Sequence, residues 1–513
     1  MRLASPTKAS LTRAHTVPFP MRLITRCQMN IRVPGPHASI WVVAESMASA
    51  VFSLISLLMI GRVIGPAAAG LGVIPISAFI LLEVLTAALF PDALVQRRHL
   101  TRRHTDSAVT AAVVLGALCG LMMAAGAALL DFGELDRGAV PLWLALAPLL
   151  PLAAFSGTIS GLLLREQRFR MLSMRLLIGQ PMALGFGLLT AKAGLGAWAM
   201  VAVQVVSVLI TFVLMLSAVR GRFAPYFDWP ALADLLPVAL PTVTGVFVML
   251  GKYRFFLLAL GFLVTPVVLA LSNFAFRLLD AALALVWQCV AKIGISRLCA
   301  LQDDRNALAE AYGDLTELQA ILGFAICGGV AVTSHDLVAV LMGPSWAASS
   351  TAIGVAAVAS TLNFVAGDYT SLFVAVGKAK RNFYVAVCSV VVPLLALLIL
   401  MPTTPATAAI AWCAQAIVLP PILTIVVLRE LDRPLLWLLR KLFPGAIGCA
   451  AMIASVMTMQ RTVFMEPVAR LSGSVILGAV VFILVTWIAI GRRSPRALAV
   501  GLLHPRSGTL FVT

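Results

Sequence analysis

Long apolar segments, separated by short clusters of charge and proline, dominate the sequence from residue 40 onward. Each segment is long enough to cross a bilayer core of about 30 Å as an α-helix. The pattern therefore predicts an all-α polytopic membrane protein. The fourteen predicted spans are 40–61, 68–91, 107–130, 140–164, 173–191, 195–218, 237–259, 263–290, 318–334, 348–376, 383–401, 406–428, 442–459 and 469–491.

Composition agrees with this pattern. The chain has 513 residues, of which 61% are hydrophobic and 12% are charged, and its mean hydropathy is +1.01. A soluble domain carries about 25% charged residues, so soluble, secreted, fibrous and disordered classes are excluded. The eight cysteines form no C-x-x-C pair, and we expect them to be buried hydrophobes without a disulfide, metal or cofactor role.

The distribution of Lys and Arg predicts the orientation. Of the 38 Lys and Arg residues, 30 fall on one side of the predicted spans, five on the other and three within spans. Cytoplasmic loops collect Lys and Arg, so both termini are predicted to be cytoplasmic. The net charge of +17 then needs no nucleic-acid partner. The longest inner loop, 291–317, is predicted to form a short surface helix.

Weak internal similarity predicts a duplicated six-helix unit. Gly61–Pro66 and Gly261–Pro266 both follow odd-numbered spans, Arg168–Arg170 corresponds to Lys378–Lys380, and Gln204 to Gln415. Two halves of parallel topology would be related by an axis along the membrane normal, with a cleft between them. The predicted parts are 1–38 (a basic, disordered cytoplasmic segment), 39–219 (first bundle), 220–236 (linker), 237–430 (second bundle), 431–491 (two further helices) and 492–513 (a basic tail).

The segment 1–38 shows no apolar core followed by a small-residue cleavage site. We therefore expect no cleaved signal peptide. Met21 and Met29 are alternative starts of the chain.

Ionisable residues inside spans are the candidate functional residues, because each costs about 2.5–3.5 kcal/mol to insert and needs a partner or a wet cavity. Lys252 and Arg254 lie about 200° apart around a helix, so only one of them can face the cleft. Arg277 and Asp280 are neighbours on one helix face and could instead pair with each other. The substrate-cavity candidates are Glu83, Lys252, Arg254, Arg277 and Asp280, and the candidates for ion coupling or helix pairing are Glu45 and Asp368.

Several short motifs resemble a known family, the Wzx-type polysaccharide transporters of the MOP flippase superfamily. Gly61–Leu71 resembles the family's "ARLLGPEEFGL" turn, and Ala93–Arg97 its "ALVQR" segment. Arg165–Arg170 resembles "LQRELRF", and Gly343–Trp346 resembles "FGPEW". Many relatives carry an acidic residue in the seventh span, where this chain is basic. We therefore do not assign the ion-coupling site of these relatives to any residue of this chain.

The resemblance implies a MATE-like fold of two six-helix bundles in pseudo-two-fold arrangement plus two C-terminal helices. It also implies a flippase of the bacterial inner membrane. The cargo would be undecaprenyl-diphosphate-linked oligosaccharide (an exopolysaccharide, O-antigen or capsule repeat unit), moved from the cytoplasmic to the periplasmic leaflet. The expected partners are this lipid-linked oligosaccharide, membrane lipids and other membrane proteins of polysaccharide assembly.

Three other functions stay open at the level of sequence. A MATE-like multidrug exporter would have the same helices. A membrane-embedded polymerase or glycosyltransferase would need clustered catalytic groups, and His335 beside Asp336 is the one such pair outside the membrane; a polar cap on a short outer helix explains it equally. A structural scaffold would leave the embedded charges unexplained. The chain contains no G-x-x-x-x-G-K-[ST] nucleotide loop, and we expect no enzymatic activity.

Overall fold

Helices account for nearly all of the fold in the computed structural model, which describes residues 36–131, 137–219, 224–462 and 466–491. No strand occurs among these residues. The helices are α1 (Pro36–Ala87), α2 (Pro91–Gln96), α3 (Arg102–Asp131), α4 (Val140–Leu146), α5 (Leu149–Arg165), α6 (Phe169–Lys192), α7 (Trp198–Ala218), α8 (Trp229–Ala233), α9 (Leu236–Gly261), α10 (Pro266–Ala300), α11 (Arg305–Leu341), α12 (Ser349–Ser360), α13 (Tyr369–Ala375), α14 (Lys380–Leu400), α15 (Pro405–Leu431), α16 (Leu435–Thr462) and α17 (Pro467–Ile490).

The first helix contains two membrane spans. Gly65 has φ 74° and ψ 170°, a conformation that glycine adopts readily, and Pro66 disfavours helix at the residue before it. Ser53 and Ile80 line one cavity on opposite sides of this break, although a continuous helix would hold them about 40 Å apart. The segments 36–64 and 66–87 therefore fold back on each other, as the sequence predicts.

Thirteen helical stretches of the described chain are long and apolar enough to cross a membrane. The first of them, Phe52–Gln96, contains parts of both predicted spans 1 and 2. The described residues thus account for fourteen crossings, which confirms the predicted fold class.

The prediction of a short surface helix within 291–317 is wrong. Helix α10 continues to Ala300 and α11 begins at Arg305, with Asp304 capping it by accepting from the backbone amides of Asn306 and Ala307 at 2.9 and 3.1 Å. The first turns of α11 carry carboxylates that pair with α16, including Asp314 at 2.7 Å from Lys441. Hydropathy alone misses this extension because these turns are polar.

Two predicted spans are interrupted. The span 140–164 divides into α4 and α5 around Ala147 and Pro148. The span 348–376 divides into α12, a 3₁₀ turn and α13, because Gly367 adopts a positive φ of 64° and Asp368 caps α13. Interrupted helices at membrane depth are tolerated where protein surrounds them.

The last two helices pack on α11, and an ion pair joins them to it. Arg470 of α17 donates from Nε to both carboxylate oxygens of Asp336 at 2.9 and 3.0 Å. Asp336 is 3% exposed, whereas the neighbouring His335 is exposed. Asp336 therefore links α17 to α11, and Nδ1 of the exposed His335 lies 3.8 Å from its Oδ1 atom.

The two halves repeat one contact at the same end of the bundle. Arg168, before α6, donates to the carbonyl of Ala218 at the end of α7 at 3.3 Å. Lys378, before α14, donates to Glu430 at the end of α15 at 2.6 Å. Both contacts join the start of the fifth span of a half to the end of its sixth, which favours the predicted division into 39–219 and 237–430. The division itself stays a prediction.

Candidate substrate cavity

A cavity of about 280 Å³ lies between helices of the two predicted halves. Both segments of α1 form one wall together with α6 and α7, and α9, α10 and the turn before α12 form the other. Its polar and aromatic lining residues are Ser53, Ser56, Gln180, Gln204, Arg254, Asn273, Arg277 and Trp346. Of the lining residues, Arg254 and Arg277 are the charged ones, so the lining is positively charged.

Arg277 is held at the cavity wall by the first half of the chain. Its Nη2 atom donates to the hydroxyl of Ser53, which lies in segment 36–64. Asp280 is one helical turn away, but no ion pair joins these two described side chains. Asp280 is exposed and lies in the electrostatic environment of Lys252 and Arg277. The guanidinium of Arg277 therefore keeps donors for a ligand.

The other arginine is placed by its helix neighbours. The guanidinium carbon of Arg254 lies 5.5 Å from the centre of the Tyr253 ring. Tyr253 in turn donates from its hydroxyl to Oδ1 of Asn273 at 2.7 Å, which ties α9 to α10. This chain of contacts fixes both Arg254 and the Asn273 amide on the cavity wall.

Lys252 does not line the cavity. The angular separation from Arg254 turns it elsewhere, and it is half-buried near Asp280. The structure thus divides the predicted cluster: Arg254 and Arg277 line the cavity, while Lys252 and Asp280 lie together outside it.

Glu83 also lies outside the lining, on segment 66–87. It interacts electrostatically with Arg175 of α6 and with Arg254. Arg175 falls within the predicted span 173–191 and lies in α6. The carboxylate is therefore in the electrostatic environment of one cation from each predicted half.

Asp368, one of the two candidates for coupling or helix pairing, does not line this cavity. Asp368 caps α13 by accepting from the Ser371 amide at 3.2 Å, and it packs closely against Gly294 of α10. Glu45 falls in α1, but its side chain lies outside the described residues.

Sequence reasoning missed the neutral lining residues. Gln180, Gln204 and Asn273 have amide side chains inside apolar helices. Polar residues are uncommon there, so their presence in the sequence could have indicated a functional site. Trp346 belongs to the quoted Gly343–Trp346 motif, although its place on the cavity wall could not be inferred from the motif.

Contacts between the halves close one end of the cavity. A Cβ atom on Gly70 would lie 1.9 Å from the carbonyl oxygen of Pro266, so the backbones of segment 66–87 and α10 touch there. Gly61 packs against Met342 and Trp346, and Arg62 donates to the Val340 carbonyl at 3.4 Å.

At the opposite end of the bundle, an exposed ion pair joins α2 to the segment before α9. Arg97 lies 2.6 Å from Asp234. Arg165 holds α2 in position, because its guanidinium donates to the carbonyls of Leu94 and Val95 at 2.7 and 3.2 Å. Two of the quoted sequence motifs, Ala93–Arg97 and Arg165–Arg170, therefore meet at this contact.

Solved structures share this fold of helical crossings around a polar cavity. The lipid II flippase MurJ in an inward closed conformation has a TM-score of 0.69 at 12% identity, over 88% of this chain and 99% of that chain. A multidrug resistance MATE family transporter in an inward-facing conformation has a TM-score of 0.59 at 15% identity, over 77% and 98%. A MOP superfamily transporter from Pyrococcus furiosus has a TM-score of 0.50 at 14% identity, over 77% and 94%.

The family follows from sequence. A family model described as polysaccharide biosynthesis protein matches residues 59–351, more than half of the chain, and the chain belongs to this family. No curated protein sequence matches it significantly.

Proposed function

We propose that this protein is a flippase that carries undecaprenyl-diphosphate-linked oligosaccharide across the membrane by alternating access. The observation that carries the proposal is the pair Arg254 and Arg277 on the wall of the cavity between the halves. A diphosphate loses its hydration on entering a membrane protein, and guanidinium groups replace it with charge-assisted hydrogen bonds. The lipid tail would stay in the bilayer while the headgroup crosses through the cavity.

The proposed location is the bacterial inner membrane with both termini in the cytoplasm, on the basis of the 30-to-5 distribution of Lys and Arg. In this orientation the Gly61–Trp346 end of the cavity is periplasmic and the Arg97–Asp234 pair is cytoplasmic. An inside-negative potential favours outward movement of a diphosphate by about 2.3 kcal/mol per charge per 100 mV. Export therefore needs no nucleotide site.

Each charged candidate has a proposed role. Arg254 and Arg277 bind the diphosphate. Glu83, shared by Arg175 and Arg254, keeps Arg254 oriented across the cleft, and Asp280 offsets the charge of Lys252 beside the cavity. Glu45 and Asp368 stay proposals for ion coupling or helix pairing.

The multidrug alternative fits this cavity less well. Cationic drugs favour binding sites dominated by carboxylates, and the lining residues include none. We therefore do not propose drug export as a second function. The cellular experiment described below would detect it.

The test measures binding of undecaprenyl diphosphate to the protein in lipid nanodiscs. We expect Arg254→Gln and Arg277→Gln each to weaken binding at least about tenfold, as loss of a charged hydrogen bond does. Lys252→Gln is the matched control: it removes a cation two residues from Arg254 but outside the cavity, and should bind normally. Equal binding by all variants would overturn the proposal.

The cellular readout is the lipid-linked saccharide pool. Deleting the gene should cause this pool to accumulate on the cytoplasmic leaflet, and the unmodified protein should clear it while the two arginine variants do not. Unchanged glycolipid together with raised sensitivity to cationic drugs would favour the exporter instead.

A further inference from the structure

Trp346 is an aromatic residue on the cavity wall, where a bound ligand would contact its ring. It ends the short 3₁₀ turn Pro344–Trp346, which follows Gly343 at a positive φ of 85°. Its side chain is 1% exposed and packs edge-to-face on Phe274, with ring centres 5.4 Å apart. The residue lines the cavity together with the two arginines.

The indole is in contact with both halves of the chain. Phe274 belongs to α10, while Gly61 belongs to α1, and a Cβ atom on Gly61 would lie 3.5 Å from Cζ2 of Trp346. Trp346 therefore forms the end of the cavity where the halves meet.

The indole nitrogen of Trp346 makes no hydrogen bond within the described part of the protein. Nε1 of Trp346 is buried and has no acceptor among the described residues. Buried donors in proteins almost always have a partner. A donor that is free of protein partners on a cavity wall is available to an acceptor on a ligand.

The position of the ring relative to the arginines indicates which part of the ligand Trp346 would contact. Arg277 contacts Ser53 and Trp346 contacts Gly61, and these two residues of segment 36–64 are separated by about 12 Å of helix. A diphosphate bound at Arg254 and Arg277 would thus leave Trp346 facing the groups attached beyond the phosphates. A neutral N–H beside an apolar ring suits a sugar, which offers hydroxyl acceptors and C–H faces.

We propose that Trp346 binds the saccharide portion of the cargo, with its indole N–H donating to a sugar oxygen and its ring covering a sugar face. The proposal rests on the proposed flippase function. It assigns recognition of the two chemical parts of one headgroup to separate places on the cavity wall: cations for the diphosphate and Trp346 for the sugars.

The test compares two probes in nanodiscs: bare undecaprenyl diphosphate, and the undecaprenyl-diphosphate-linked oligosaccharide extracted from cells that lack the protein. Trp346→Phe keeps the ring and removes the N–H. We expect it to weaken binding of the saccharide-bearing lipid about tenfold, which is typical for one lost hydrogen bond to a buried donor, and to leave binding of the bare lipid unchanged.

Trp143→Phe is the matched control. Trp143 is also a buried indole whose Nε1 has no acceptor among the described residues, but it does not line the cavity. It should bind both lipids normally, and a thermal unfolding midpoint measured for each variant reports folding.

Each remaining outcome is decisive. Normal binding of both lipids by Trp346→Phe, or equal loss of both, would overturn the role of Trp346 in sugar recognition. Failure of the unmodified protein to bind either lipid would overturn the proposed function itself.

Discussion

Gly70 and Pro266 bring the two halves of this protein into backbone contact. A single methyl group on Gly70 would lie 1.9 Å from the Pro266 carbonyl oxygen and 2.8 Å from its Cα atom. Backbone atoms cannot move aside as a flexible side chain can, so the contact requires glycine. Because the contact closes the Gly61–Trp346 end of the cavity, it offers a way to change which end is open.

Gly70→Ala should shift the protein toward a state open at that end. The added methyl forces segment 66–87 and α10 apart, whereas a state in which they are already apart has room for it. In a cysteine-free background, we expect Ser56→Cys on the cavity wall to react faster with a membrane-impermeant maleimide added from the periplasmic side.

Gly245→Ala is the control for this experiment. Gly245 lies in α9, with open space around the position of a Cβ atom, so labelling of Ser56→Cys should not change. If Gly70→Ala also left the labelling rate unchanged, the contact would not be a closure.

The apolar pattern was sufficient to predict the membrane crossings, because a span must be long and apolar whatever it packs against. It was insufficient for the length of α11, because Asp314 and its neighbours are stabilised by Lys441 of a helix far along the chain. It also could not show that Ser53 and Arg277 meet, since tertiary contacts between distant segments leave no periodicity in either segment. Helical geometry predicted that Lys252 and Arg254 would point apart, but only the packing of the halves shows Arg254 at the cavity.

Asp234→Asn should loosen the end of the bundle that holds the Arg97–Asp234 pair. Arg97 donates to the carboxylate of Asp234 at 2.6 Å and to its backbone carbonyl at 3.2 Å, and the substitution removes the charge from the first contact. The pair is partly exposed, so stability should change by at most about 1 kcal/mol. In inside-out vesicles, Ser56→Cys should react faster with the same maleimide.

Asp303→Asn provides a comparison at the turn between α10 and α11. It removes an exposed carboxylate that does not face Arg97, and labelling should stay at the level of the unmodified protein. Equal labelling rates for Asp234→Asn and Asp303→Asn would show that the Arg97–Asp234 pair does not restrain its end of the bundle.

Asp336→Asn should destabilise the attachment of α17 to α11. The carboxylate is nearly fully buried and accepts two hydrogen bonds from Arg470 Nε. Loss of its charge leaves the partly exposed guanidinium without its counterion, at a cost of about 1–3 kcal/mol. The measurement is the thermal unfolding midpoint in detergent, which should fall.

His335→Ala should lower that midpoint by much less than Asp336→Asn does. Nδ1 of His335 lies 3.8 Å from Oδ1 of Asp336, but the His335 side chain is 75% exposed, and an exposed pair contributes little to stability. The double variant Asp336→Leu/Arg470→Leu should recover part of the loss, since it leaves neither charge unpaired. A midpoint unaffected by Asp336→Asn would show that the two helices are held by apolar packing alone.

Arg165→Lys should release α2 even though it keeps the positive charge. The Arg165 guanidinium donates to the carbonyls of Leu94 and Val95, which the end of α2 leaves without helical partners. It also donates to the carbonyls of Arg97 and Arg98, just after the helix. A lysine ammonium is a compact point charge. It lacks the planar, forked donors of a guanidinium and cannot bind all four carbonyls at once. We expect faster hydrogen–deuterium exchange over 91–98 and, because Arg97 then loses its fixed position beside Asp234, slower clearance of the lipid-linked saccharide. Arg170→Lys, at an exposed position of the same motif, should change neither quantity; if Arg165→Lys behaves like it, charge alone positions α2.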